Sequence, residues 1–126
     1  MELHQKCMEC LKKEGFDPII NENCIEFRVN SSSFFWIHID KKDELYFDLF
    51  AGIRWDFSDE AEIIKALKIA NNINVKAVKF RIIGDCVYAS VEMFLGNTSD
   101  IDKFLKRSID TIKVALNIFS SDMDNE

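Results

Sequence analysis

The sequence predicts an α+β fold in which three helices cover a mainly antiparallel sheet of five to six strands. Helical and alternating strand patterns follow one another in the order α-β-β-β-β-α-β-β-α. The links between consecutive strand patterns are short, which favours antiparallel pairing. With 126 residues and no repeat or linker, the chain has the length of one domain. We therefore expect residues 1–126 to form a single α+β domain.

Composition narrows the class of protein. Hydrophobic residues make up 48% of the chain and charged residues 30%, which is ordinary for a folded domain. The net charge of −6 would repel a phosphate backbone, so we expect no nucleic-acid partner. No stretch approaches the ~18 apolar residues of a membrane span, and charges interrupt the N-terminal segment where a signal peptide is apolar. We expect a cytoplasmic protein without a membrane partner.

The first third of the chain contains a helix and two strands. Apolar residues recur at helical spacing over 2–14, and Gly15 ends the helix. Residues 18–20 can form only a short edge strand, because Pro18 donates no ladder hydrogen bond. Residues 24–30 alternate between apolar and polar side chains, as in a half-buried strand.

The next two strands, at 34–39 and 45–50, have apolar residues on both faces. One face consists of aliphatic and Phe side chains that suit a core. The other face contains the aromatic residues Phe34, Trp36, Tyr46 and Phe50. Beyond them, Ile53, Trp55 and Phe57 alternate again, so we expect the second strand to resume after a bulge at Gly52.

Residues 58–74 form the predicted central helix, around which the two sets of strands are arranged. Ser58 or Asp59 can cap its first turn. Its apolar stripe consists of Ile63, Ala66, Leu67, Ala70 and Ile73, bordered by Ile64 and Ile69. This stripe is wider than one sheet contact requires. We therefore predict a homodimer whose interface includes Ile64, Leu67 and Asn71.

The last third predicts a hairpin and a closing helix. Residues 78–83 and 86–95 alternate as strands, and Gly84-Asp85 between them fits a two-residue II′ turn. A helix with a continuous apolar stripe follows over 99–119. We expect the acidic residues 120–126 to form a frayed tail.

Few residues indicate catalysis or metal binding. Cys7 and Cys10 have C-x-x-C spacing, but both fall on the apolar face of a helix rather than at its N-terminus, where a redox thiol is activated. No second C-x-x-C accompanies them, and neither His4 nor His38 has metal or triad spacing. We therefore predict neither an enzyme nor a bound metal or cofactor, and interpret the two thiols as buried apolar groups.

The order of elements and several local patterns resemble the YbjN family, which is similar in fold to the type III secretion chaperones. The most family-like segments are the helix end ANNIN at 70–74, the hairpin VKFRIIGDCVYASVEMFL and the helix over 99–119. The resemblance implies a small, acidic, often dimeric protein without known catalytic residues. In the secretion chaperones, the corresponding part of the fold helps to form the dimer. The turn at 21–23 and the aromatics at 34–36 match no family motif.

The aromatic residues lead to two hypotheses about function. A soluble monomer rarely exposes a large apolar patch, so Phe34, Trp36, Tyr46 and Phe50 are either covered within the domain or available to a partner. Aromatic residues are enriched at protein interfaces. We predict a non-enzymatic, chaperone-like or adaptor module that binds a polypeptide through this sheet face. The alternative is a regulatory domain that encloses a small ligand in an aromatic pocket.

Overall fold

The computed structural model describes residues 2–30 and 33–125, and it confirms the predicted fold class and order of elements. The elements in that part of the chain are α1 (Glu2–Lys13), β1 (Ile19–Asn21), β2 (Cys24–Asn30), β3 (Ser33–His38), β4 (Tyr46–Arg54), α2 (Glu60–Asn72), β5 (Val78–Ile83), β6 (Cys86–Phe94) and α3 (Ile101–Asp124). A short 3-10 turn, Thr98–Asp100, precedes α3. The expected turn at 30–33 lies partly outside the described residues.

The strands form one antiparallel sheet in the order β1-β2-β3-β4-β6-β5. Its register puts one row of aliphatic side chains across five strands: Ile25, Ile37, Leu49, Val91 and Val78. Such period-2 alternation assigns every second residue to the same face. The sheet therefore has one continuous apolar face.

All three helices pack on that apolar face. Leu11 of α1 and Ile112 of α3 are fully buried with the sheet residues Phe27 and Phe47 in one cluster. Residues of α2 and the end of α3 form a second cluster with Val87. The opposite face of the sheet has no described helix against it. None of the described helices is both long enough and apolar enough to cross a membrane.

Strand β4 differs from the sequence prediction at Gly52. The expected bulge is wrong, because β4 pairs with β6 without interruption from Tyr46 to Arg54. Glycine is needed at this position for a steric reason. A Cβ at position 52 would lie 2.7 Å from Cδ1 of Tyr88, which is too close for a contact between two carbon atoms. Gly52 therefore leaves room for the Tyr88 ring to lie against the backbone of β4.

The hairpin between β5 and β6 has the predicted two-residue loop. Ile83 pairs with Cys86, so only Gly84 and Asp85 connect the strands. Gly84 has a φ of 60°, in the left-handed region that the first position of a II′ turn requires. The backbone N–H of Trp55 donates to the carbonyl oxygen of Asp85 at 2.8 Å, which ties the residue after β4 to this loop.

Helix α2 begins with the expected cap, because the Asp59 carboxylate accepts from the backbone N–H of Glu62 at 2.9 Å. Only part of its predicted stripe is covered. Ala66 is fully buried against Phe119 and Met123 of α3, whereas Leu67 on the neighbouring flank is exposed. The helix thus buries one side and leaves an adjoining apolar side uncovered.

Helix α3 extends beyond the predicted boundary. We expected residues 120–126 to fray, but the helix continues to Asp124. The physical reason is Met123, which is buried against Ala66 of α2. In addition, the Lys65 ammonium donates to the carbonyl oxygen of Met123 at 2.8 Å. Glu126 lies outside the described residues.

Candidate functional site

The candidate site is the sheet face without a helix, which we call the open face. It consists of the residues that alternate with the core rows of β2 to β6, among them Arg28, Phe34, Trp36, His38, Tyr46, Asp48, Phe50, Tyr88, Glu92 and Phe94. These side chains are half-buried or exposed because only neighbouring side chains of the same face cover them. They are therefore available for contact with another molecule.

Four rings form a continuous group on this face, which we call the ring cluster: Phe34, Trp36, Phe50 and Tyr88. Trp36 and Phe50 lie opposite each other on β3 and β4, with ring centroids 5.6 Å apart and nearly parallel planes. Phe34 follows Trp36 at 6.3 Å, and Tyr88 meets Phe50 edge-on at 6.4 Å. Gly52, which faces Tyr88 across the β4–β6 ladder, lies between the arms of this U-shaped group.

Two polar contacts fix the orientation of the ring cluster. The indole N–H of Trp36 donates to Oε1 of Glu26 at 3.0 Å. The guanidinium of Arg28 lies over the ring of Phe34, 4.6 Å from its centroid, which is a cation–π geometry. Rings held in this way lose little further conformational freedom when a partner binds.

Tyr46 is on the predicted face but lies outside the ring cluster. Its ring contacts Phe94 at 5.6 Å, and its hydroxyl donates to Oε1 of Glu92 at 2.6 Å. That hydrogen bond and burial raise the pKa of the Tyr46 hydroxyl. The structure thus brings together Phe34, Trp36 and Phe50 of the predicted residues and places Tyr46 in a separate pair.

A polar row separates the two aromatic groups. His38, Asp48 and Glu92 lie opposite one another on β3, β4 and β6. The pKa of Glu92 is lowered, chiefly by the hydrogen bond from Tyr46, and Lys79 lies 3.1 Å from the carboxylate. The pKa of Asp48 is raised, first by burial and then by the charge of Glu92. Of the two carboxyl groups, Glu92 is therefore the one whose charge the fold stabilises.

The residues predicted for a dimer interface are all exposed on α2. Ile64 and Leu67 are 46% and 45% exposed, and Asn71 lies beside them. Ile63, which the sequence analysis did not assign to the interface, is also exposed. We call Ile63, Ile64, Leu67 and Asn71 the α2 flank.

The C-x-x-C thiols are in the core, away from the open face. Cys7 is fully buried, and burial raises its thiol pKa to about 12; burial is also the main reason that the pKa of Cys10 is raised to about 11. A thiol with such a pKa is a poor nucleophile at neutral pH. Within residues 2–30 and 33–125, no group of three His, Cys, Asp or Glu side chains is placed to hold a metal ion.

Sequence reasoning missed two aromatic residues of the open face, Tyr88 and Phe94. Both alternate with the core row of β6, so their face was implied by the pattern of that strand. Nothing in the sequence, however, indicated that β6 lies directly beside β4. That adjacency is what puts Tyr88 against Phe50 and Phe94 against Tyr46.

Comparison with solved structures confirms the YbjN-like resemblance at the level of the fold. An uncharacterized protein from Methanothermobacter thermautotrophicus matches with a TM-score of 0.71 at 14% identity, covering 98% of both chains. YbjN from E. coli, described as a candidate transcription regulator, matches with a TM-score of 0.67 at 10% identity over 97% of this chain and 93% of its own. No family model and no curated protein matches the sequence. The chain therefore has the YbjN-like α+β fold.

Proposed function

We propose that this protein is a non-enzymatic adaptor or chaperone-like module that binds a segment of another polypeptide on its open face, as a homodimer. The observation that carries the proposal is the ring cluster, four aromatic side chains in mutual contact on a sheet face without a described helix. A few residues near the centre of an interface dominate its binding free energy, and Trp and Tyr are enriched among them.

The spacing of the rings suits an extended polypeptide. Alternate side chains of an extended chain are about 6.6 to 6.8 Å apart. The ring centroids in the cluster are 5.6 to 6.4 Å apart, close to that repeat. Two successive apolar side chains of a partner segment can therefore contact two neighbouring rings along one arm of the cluster, such as Phe34 and Trp36. Polar groups at the edge of the cluster, such as Glu26 and Arg28, would orient the segment.

The openness of the face favours this function over an enclosed pocket for a small ligand. Phe34 is 36% exposed and Phe94 is 76% exposed, so the aromatic groups line a surface. Charges on the face are of both signs, with Lys79 paired to Glu92, which gives no basic patch for nucleic acid. The description of E. coli YbjN as a candidate transcription regulator is compatible with an adaptor that acts through protein contacts.

The test is to truncate the ring cluster. Polypeptides captured from cell extract by the wild-type protein would be synthesised as overlapping peptides and titrated by calorimetry. We expect Trp36→Ala to weaken binding of the best peptide by about 2 kcal/mol or more, as for an interface hot spot. Truncation of a fully buried Trp to Ala lowers the free energy of unfolding by about 3 to 5 kcal/mol. Because Trp36 is only half-buried, Trp36→Ala should lower it by much less.

The matched control is Phe94→Ala, which removes a more exposed ring on the same face outside the ring cluster. It should leave peptide affinity within about threefold of wild type. If Trp36→Ala binds the peptide as tightly as the wild type, the open face is not the binding surface. If Trp36→Ala instead loses several kcal/mol of folding stability, the Trp36 ring belongs to the core and the proposal fails.

A further inference from the structure

A groove lies on the helix-bearing side of the sheet, opposite the open face. It is a groove of about 480 Å³ bounded by the N-terminal half of α3, by β6, and by residues 75–77, which join α2 to β5. Val91 and Met93, which form part of its floor, belong to the helix-bearing face. The groove, which we call the α3 groove, is therefore separate from the open face.

Most of the α3 groove is apolar. Its apolar lining residues are Val75, Ala77, Val91, Met93, Phe104 and Val114. Val91 is fully buried beneath it, whereas Val114 is 50% exposed at its edge. The volume is within the range of about 300 to 1,000 Å³ that is usual for sites of small organic ligands. The size and lining thus suit one apolar chain.

Two basic side chains also line the groove, Lys76 and Arg107. Within residues 2–30 and 33–125, neither side chain forms an ion pair or a side-chain hydrogen bond. Asp110 is acidic, so the groove has a local excess of positive charge although the whole chain has a net charge of −6. A pair of unpaired cations beside an apolar groove complements a ligand with an anionic head.

Two further features support a ligand site here. Ser108, which is 4% exposed, is a buried polar residue of the lining and supplies a hydroxyl beside the apolar residues. Ala77 has a φ of 63°, a conformation that is rare for a residue with a Cβ. Strained backbone of this kind is concentrated at binding sites, where the local geometry is under functional constraint.

We propose that the α3 groove binds a small amphipathic acid. The aliphatic chain would lie along the partly exposed Val75, Met93 and Phe104, and the carboxylate would be held by Lys76 and Arg107. Arginine can bind a carboxylate through two parallel hydrogen bonds, which fixes the direction of the ligand. This activity is independent of polypeptide binding on the open face.

The test is calorimetric titration of the purified wild-type protein with decanoate, decanol and decylamine. The two ions are used below their micellar concentrations, and decanol below its solubility limit. Decanoate should bind with one-to-one stoichiometry, and octanoate about fifteenfold more weakly, because each methylene contributes about fourfold to the affinity. Decanol and decylamine should bind at least about tenfold more weakly than decanoate, because they lack the charge-assisted hydrogen bonds. Equal binding of decanoate and decylamine would refute the proposal.

Variants assign the binding to the groove. Arg107→Gln should reduce the affinity for decanoate about tenfold, whereas the control Lys103→Gln, on the same helix but outside the groove, should not. Val114→Trp adds bulk at an exposed edge position and should block binding without unfolding the domain.

Trp36→Ala should leave the affinity for decanoate unchanged. Retained binding in Arg107→Gln and Val114→Trp, or lost binding in Trp36→Ala, would contradict the proposal.

Discussion

At the scale of single residues, Asp48 is in the least favourable environment of the open face. It is half-buried in the central strand β4, and its Oδ1 atom is buried without a hydrogen-bond partner among the described residues. Glu92 lies directly opposite on β6. Burial and this like charge raise the pKa of the Asp48 carboxyl above its usual 3.8. The folded protein therefore binds this proton more tightly than the unfolded chain does.

The consequence for stability depends on pH. The favourable contribution of Asp48 is complete below pH 3.8, and it is lost as the pH rises through the raised pKa of the folded state. At pH 7 the charged carboxylate therefore costs stability. We expect Asp48→Asn to increase the free energy of unfolding at pH 7 and to give no gain below pH 3.8. The gain should not exceed about 1 kcal/mol, because solvent screens the charge of this half-buried carboxylate.

Chemical denaturation at pH 7 and at pH 3 would measure this difference. The exposed Asp56 provides the control, since Asp56→Asn should change stability by less than about 0.5 kcal/mol at either pH. An Asp48→Asn variant that is less stable than wild type at pH 7 would show that the carboxylate has a favourable role in the folded state.

At the scale of elements, the last turn of α3 joins two helices. Met123 is buried against Ala66 of α2, so the end of α3 depends on tertiary packing rather than on its acidic sequence. We expect Met123→Ala to lower the free energy of unfolding by about 2 kcal/mol, as for other large-to-small substitutions in a core. Thermal unfolding followed by circular dichroism would measure the loss.

Asp122→Ala is the matched substitution for that experiment, because Asp122 is exposed in the same turn. It should leave stability within about 0.5 kcal/mol of wild type. Equal stability of the two variants would mean that residues after Phe119 do not pack in solution and that the tail frays as its sequence suggests.

Local periodicity was sufficient to predict most elements, and the failures have a common cause. Strands β2 and β5 have the predicted bounds because each begins directly after a turn, at 22–23 and 76–77, and β5 ends at the turn of Gly84 and Asp85. The bulge expected at Gly52 and the end of α3 were mispredicted because both are determined by contacts with remote residues. At Gly52 the remote residue is Tyr88, whose ring lies against the backbone of β4. At the end of α3 it is Ala66, against which Met123 is buried. Propensity cannot report such tertiary contacts.

The same limit applies to the candidate site. The face of Phe34, Trp36 and Phe50 followed from alternation within two neighbouring strands. Tyr88 joined them only because β6 inserts between β4 and β5 in the sheet, an order that no local pattern specifies. Likewise, α2 had a recognisably wide stripe, but only the packing of Ala66 indicates which of its two sides is covered.

At the scale of the whole molecule, the α2 flank is the surface we expect to join two copies of the chain. Ile63, Ile64 and Leu67 are each more than a third exposed on consecutive turns, and covering them would remove apolar area from water. Light scattering after size exclusion should therefore give twice the 14.7 kDa of one chain. Ile64→Lys with Leu67→Lys should give the monomer mass, because two charges on each copy would face each other.

Lys68→Glu is the control, since it alters an exposed charge on the same helix outside the α2 flank. It should remain dimeric. At protein concentrations where the wild type is also monomeric, the double lysine variant should unfold at nearly the same denaturant concentration as the wild type, because the altered residues are exposed. A wild-type protein of monomer mass at micromolar concentration would contradict this expectation.

The four thiols are divided between the two sides of the sheet. Cys7 and Cys10 lie on the buried face of α1, whereas Cys24 and Cys86 are half-buried on the open face. Cys86 precedes Tyr88 by two positions on β6. An alkylating reagent should therefore label the second pair quickly and the first pair only when α1 detaches from the sheet. A polypeptide on the ring cluster would shield Cys86 and leave the labelling of Cys7 unchanged. The natural cysteines thus allow mass spectrometry to distinguish occupancy of the open face from loosening of the core, without any engineered probe.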